Sequence, residues 1–113
     1  MKKTTTHQIE VGGLIDLKNI IGSICKNPHM YTLNGTFEEA SAWLVGFAEG
    51  VKYSDHDLYS QWLDFEEWVQ IQLGYSPVKS WEYTIRQFNL HDKDAFEQLN
   101  SLLLEYVASK NYS

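Results

Sequence analysis

The sequence predicts an all-α fold, a single compact domain of about five helices behind a flexible N-terminal lead-in. Two observations carry that prediction. Apolar residues recur three and four positions apart along nearly the whole chain, the period of a helix with one buried face. Each periodic run is bounded by residues that start or stop helices, and no stretch alternates with period two convincingly enough to be a strand.

Residues 1–12 are polar and threonine-rich and end at Gly12-Gly13, which reads as a lead-in to a helical domain over 13–113. Leu14, Leu17, Ile21 and Ile24 define a first helix over about 14–26. It stops before Pro28, whose ring disfavours helical geometry at Asn27. The run 27–35 is a loop, with Asn34-Gly35 as a second turn signal. Thr36 opens the next helix: with Glu39 three residues on it matches a capping box, and Glu38 and Glu39 suit the positive end of the helix dipole. Phe37, Ala40, Leu44, Phe47, Ala48 and Val51 form its apolar stripe. Ser54-Asp55-His56-Asp57 caps a third helix carrying Leu58, Trp62, Phe65, Val69 and Leu73, with Gly74 as its stop and Pro77 beyond. A short fourth helix begins near Ser80 and turns Trp81, Ile85 and Phe88 inward. Asp92 caps a fifth, on which Phe96, Leu99, Leu103, Tyr106 and Val107 line up.

At 113 residues the chain has the commonest size of one domain, and its 43% hydrophobic and 21% charged residues place it among globular proteins. Cys25 is the only cysteine, so no intrachain disulfide can form, which fits a reducing compartment and a cytoplasmic location. Lys2 and Lys3 are not followed by the apolar run of a signal peptide, and nothing approaches the ~20 apolar residues of a membrane span. A pI near 5.0 with nine Lys and Arg argues against nucleic acid, and against an anionic membrane surface, as direct ligand.

Sites of chemistry are sparse. His56 between Asp55 and Asp57, and His91 before Asp92 and Asp94, have metal-ligand residue types, but each group falls at a helix start where Asp is wanted for capping. Asp64 with Glu67 has the composition of a glycosidase pair, yet a solvated helix face explains both without a cleft. Cys25 follows Ile24 on an apolar stripe and reads as a small core residue, not a nucleophile. Gly12-Gly13 lacks the Lys-Ser/Thr of a phosphate loop. The expectation is a protein that is not an enzyme and holds neither metal nor cofactor.

The densest feature is the stretch 37–68, which holds eight acidic and eight aromatic residues with Lys52 as its one Lys or Arg. Uniform charge steers partners of opposite sign, and aromatics anchor interfaces. Trp62 lies on its helix stripe and reads as core. Trp43 and Trp68 lie off theirs, open either to packing against a neighbouring helix or to a role as half-exposed anchors. Tyr53, Tyr59 and Tyr75 suit both settings.

The run Lys26-Asn27-Pro28-His29-Met30-Tyr31 is similar to a motif of small bacterial immunity proteins encoded beside toxins, in which Arg-Pro-Gly-Met-Tyr-Leu-Gly follows a first helix. The similarity continues through the small and aromatic run 40–50, Phe65-Glu66-Glu67-Trp68, Ser80-Trp81-Glu82-Tyr83-Thr84-Ile85 and Asp92-Lys93-Asp94-Ala95-Phe96, ending in Leu102-Leu103-Leu104-Glu105-Tyr106. It spans about 14–108. His29 stands where the motif has Gly, and Thr32-Leu33 replaces Leu-Gly.

What the resemblance implies is an immunity protein that binds a cognate protein toxin and neutralises it. An acidic, aromatic-studded helical face is a physically suitable plug for the basic cleft of a nuclease-type toxin. The partner-binding residues expected are Glu38, Glu39, Trp43, Asp55, Asp57, Tyr59, Asp64, Glu67 and Trp68, on outer faces of two adjacent helices. The second reading is a helical adaptor or regulator that self-associates or binds a small ligand between helices. Oligomeric state is open, with a monomer favoured.

Overall fold

A computed structural model describes the backbone of residues 2–74 and 80–111 and the side chains of 14–74 and 80–110. It is all-helical: α1 (Lys2–Lys26), a single 3-10 turn (Pro28–Met30), α2 (Phe37–Val51), α3 (His56–Gln72), α4 (Trp81–Phe88) and α5 (Asp92–Asn111), with no strand among the described residues. Helix α1 begins well before the 14–26 expected and takes in the stretch read as a lead-in; its described side chains start at Leu14. Tyr75 and Pro77 lie outside the described residues.

Local chemistry accounts for most boundaries. Thr36 Oγ1 accepts from the Glu39 N–H at 3.1 Å and Asp55 Oδ1 from the Leu58 N–H at 3.1 Å, the two N-caps the sequence signals. Glu39 goes further than the expected capping box, whose Thr36 backbone N–H its carboxylate also neighbours. Its carboxylate accepts from the Asn34 backbone N–H at 2.8 Å and the Asn34 amide at 2.9 Å, tying the preceding loop down. Asp92 departs from its expected role. As the first residue of α5 it leaves its own helix to start from the His91 carbonyl, and it accepts instead from the Phe37 N–H, capping α2 across space at 3.3 Å. Gly74 takes φ +85 at the end of α3, the left-handed geometry that stops a helix cheaply.

Helices α1 and α5 are antiparallel neighbours: Cys25 and Lys26 share a groove with Lys93 and Phe96, and Lys18 and Asn19 with Leu103 and Leu104. Helices α3 and α5 are also antiparallel, since Asp64 pairs with Lys110 while Trp68 meets Tyr106. The short α4 lies over α2 and α3. Each helix gives its apolar stripe to one core, in which Ile21, Ile24, Phe65, Val69, Ile85, Leu99 and Tyr106 are at most 1% exposed. Burying such side chains contributes roughly 1.5–3 kcal/mol each, which is why periodicity alone predicts the fold. Phe37 and Phe96 close the core edge to face at 5.5 Å. Phe88 is the exception among the stripe residues. It is 69% exposed, because α4 ends with it and the chain turns away through Asn89.

These directions bring the end of α1, the 3-10 turn, the start of α2, the end of α4 and the start of α5 together at one end of the bundle, the near pole. The far pole holds the α2–α3 turn and the end of α5.

Candidate partner-binding surface

The nine residues expected to bind a partner do not share one face. Glu38 faces α4, where both its carboxylate oxygens take the Arg86 guanidinium, at 2.6 and 2.9 Å. Arg86 also bonds Asp92 and donates to the carbonyls of Asn89 at 3.2 Å and Leu90 at 3.1 Å. The guanidinium holds the carboxyls of Glu38 and Asp92 below their usual range, and those carboxylates push the Arg86 pKa further up. Glu39 and Asp55 are committed to the loop and cap described above.

Asp64 faces α5. It accepts from the Tyr106 hydroxyl at 2.7 Å and meets Lys110 Nζ at 2.8 Å, while Gln61 accepts from the same hydroxyl at 3.0 Å. Partial burial opposes ionisation of Asp64, but Lys110 and Tyr106 outweigh it and lower its pKa. Burial, and then the Asp64 charge, raise that of Tyr106. The ring of Tyr106 lies edge-on to Phe65 at 5.3 Å and to Trp68 at 5.7 Å, so Trp68 is half-buried packing on the α5 side. Trp43 is packing too, against the segment before α2: it stacks on Phe47 at 5.3 Å and meets Tyr31 edge-on at 4.9 Å. Tyr59 is half-buried beneath Lys52 Nζ, 5.9 Å from its ring centre.

Asp57 and Glu67 differ from the rest. Both are exposed on α3, and neither has a hydrogen bond or ion pair among the described residues. Glu49 on α2 is likewise exposed without an ion pair there. Glu66, absent from the expected set, accepts from the Trp81 indole N–H at 2.9 Å, and burial first, then the charges of Glu82 and Glu49, raise its pKa. Its position four residues after buried Trp62, at the edge of the stripe, is the signal in sequence that it turns inward. Arg86 is the chain's only arginine, yet nothing in sequence pairs it with Glu38, 48 positions away.

Among the described residues no group of three or more His, Cys, Asp or Glu could hold a metal ion, and His56 and His91 are exposed. Burial pushes the Cys25 thiol up to about 12, which leaves it protonated and a poor nucleophile. An inter-helix void bounded by Leu17, Leu44 and Trp62 has a volume near 10 Å³, room for no more than a water. Three larger cavities among the described residues are open surface grooves of about 410, 410 and 450 Å³.

The near pole presents a feature the sequence reading did not single out. Met30 and Leu33 before α2, Phe88 at the end of α4 and Leu90 just beyond it are 78, 87, 69 and 85% exposed. The loops that carry them are tied down by the Arg86 and Glu39 bonds, by Thr32 Oγ1 donating to the Pro28 carbonyl at 2.9 Å, and by Asn89 donating to the Ile85 carbonyl at 2.8 Å.

No family model matches the chain, and no curated protein or solved structure matches it. Among the described residues, no helix is long and apolar enough to cross a membrane.

Proposed function

We propose that this chain is an immunity-type inhibitor, a cytoplasmic bacterial protein that acts by binding and not by catalysis. Its partner is a cognate protein toxin with a basic cleft, such as a nuclease. The observation that supports this reading best is the acid left facing solvent after intramolecular pairing. Asp57 and Glu67 on α3 and Glu49 on α2 carry no ion pair among the described residues, and the whole chain carries −6. Unpaired surface charge of one sign raises encounter rates with an oppositely charged partner at little cost to the fold.

The geometry narrows the residues to be tested. Asp64 belongs to the Tyr106–Lys110 network, so its reversal would mix stability with binding; Asp57 and Glu67 make no such bonds. The test is to purify the product of the gene adjacent to this one and follow binding by stopped flow. Asp57→Lys with Glu67→Lys should slow association several-fold, with only the small fall in melting temperature that losing the acid of the first turn of α3 costs. Equal association rates for variant and wild type would remove these acids from the encounter. The void bounded by Leu17, Leu44 and Trp62 is too small for a ligand, so a small-ligand adaptor would have to use an open groove such as the one between α1 and α5.

A further inference from the structure

We infer that the near pole, built from the loop before α2 and the loop between α4 and α5, is the surface on which a basic protein partner seats its apolar contacts. This rests on the binding-module reading above and assigns the contact residues within it. Four large apolar side chains, Met30, Leu33, Phe88 and Leu90, each stand more than two-thirds exposed at one end of the molecule. Isolated exposed apolar residues are ordinary, but several gathered on neighbouring loops mark an interaction site.

The loops are fixed before any partner arrives. Arg86 reaches from α4 to α2, to α5 and to the carbonyls of Asn89 and Leu90, so one side chain fastens the Phe88–Leu90 turn to the start of two other helices. On the other loop, Gly35 adopts φ +69 with the His29 ring against its α-carbon, and its N–H donates to Thr32 Oγ1 at 2.9 Å. Apolar groups carried on a pre-ordered backbone lose little entropy on binding, which is what makes such positions effective anchors.

The occupant follows from charge. Five carboxylates at this pole, Glu38, Glu39, Asp92, Asp94 and Glu97, stand against three cations, Lys26, Arg86 and Lys93. Arg86 pairs with Glu38 and Asp92 and Lys93 with Glu97, so these ion pairs neutralise acids and cations alike, and the pole keeps a net excess of two negative charges. A second copy of this chain would bring like charge against like, and an anionic membrane would be repelled; a basic protein surface is complemented. Asp57 and Glu67 lie on α3 and not on the loops of the apolar pole, so substitutions at the two places can be made independently.

The test uses Leu33→Ser with Leu90→Ser, two positions more than four-fifths exposed whose loss leaves the core intact. Binding to the purified adjacent-gene product is measured by biolayer interferometry beside sedimentation of this chain alone. The expected result is a dissociation constant raised about tenfold or more, mainly through faster dissociation, with an unchanged melting temperature. Wild-type affinity in this variant overturns the inference and leaves the binding-module reading standing. No binding by the wild type overturns both. A concentration-dependent wild-type dimer that the two substitutions abolish also overturns the inference, reassigning the pole to self-association.

Discussion

At the scale of single residues, the polar side chains inside the bundle decide how much of the acidic stretch is surface. Tyr106 is fully buried, yet its hydroxyl is bonded to Gln61 and Asp64, and its ring is wedged between Phe65 and Trp68. Tyr106→Phe removes the donor and keeps the ring, so a loss of about 1 kcal/mol is expected by urea unfolding. Ser41 is the contrasting case. Its Oγ is buried without a hydrogen-bond partner among the described residues, on a face otherwise made of Phe37, Ala40, Leu44 and Ala48. Ser41→Ala should therefore stabilise the fold by about 1 kcal/mol, read as a higher melting temperature. A lower one would mean that the hydroxyl has a partner in solution. The spacing of Tyr106 and Trp62 marks them as core in sequence, but the polar partners of Tyr106 are 42 and 45 positions away and leave no local trace.

At the scale of elements, helix starts were the most legible features, because a cap is a contact between residues two or three apart. Thr36 and Asp55 illustrate this. Asp92 shows the limit: the same residue type at a helix start caps a different helix, a choice made by tertiary packing. Trp43 and Trp68 show a second limit, since a residue beside the main stripe packs only if a neighbouring element arrives, as Tyr31 and Tyr106 do here. Phe88 fails in the opposite sense, on the stripe but past the end of its support. The Asn34-Gly35 turn was legible and is mechanically important. Any β-carbon on Gly35 would lie 2.5 Å from the His29 ring at a backbone angle that disfavours side chains. Gly35→Ala should destabilise by about 1–3 kcal/mol in urea unfolding. Its cost should exceed that of Gly46→Ala, where nothing lies within 4 Å.

At the scale of the whole molecule, charge makes stability depend on pH and, under the proposed function, governs encounter with the partner. Glu38, Asp64 and Asp92 all have folded pKa values below their ordinary ones. Carboxyls of that kind bind protons more readily when unfolded, so their stabilisation is present above the ordinary carboxylate range and is lost as pH falls through it. Glu66, whose pKa is raised, acts in the opposite direction and offsets part of that loss. Acid unfolding should thus begin near pH 4. Asp64→Asn should flatten the pH dependence of the melting temperature below that point; an unaltered slope would contradict the ion pair with Lys110. The all-α architecture was readable because one apolar stripe per helix suffices to specify it. The proposed binding surface was only partly readable, because the acids of one sequence stretch are dealt to α4, to α5 and to solvent by packing.

The central claim is that acid left unpaired on this bundle steers a basic protein partner. The most direct measurement is the association rate constant of the wild-type chain with the purified adjacent-gene product, taken by stopped flow from low to high salt. Steering by unpaired acid predicts fast association that falls steeply as salt rises, with a dissociation rate that changes little. An association rate independent of salt would contradict it.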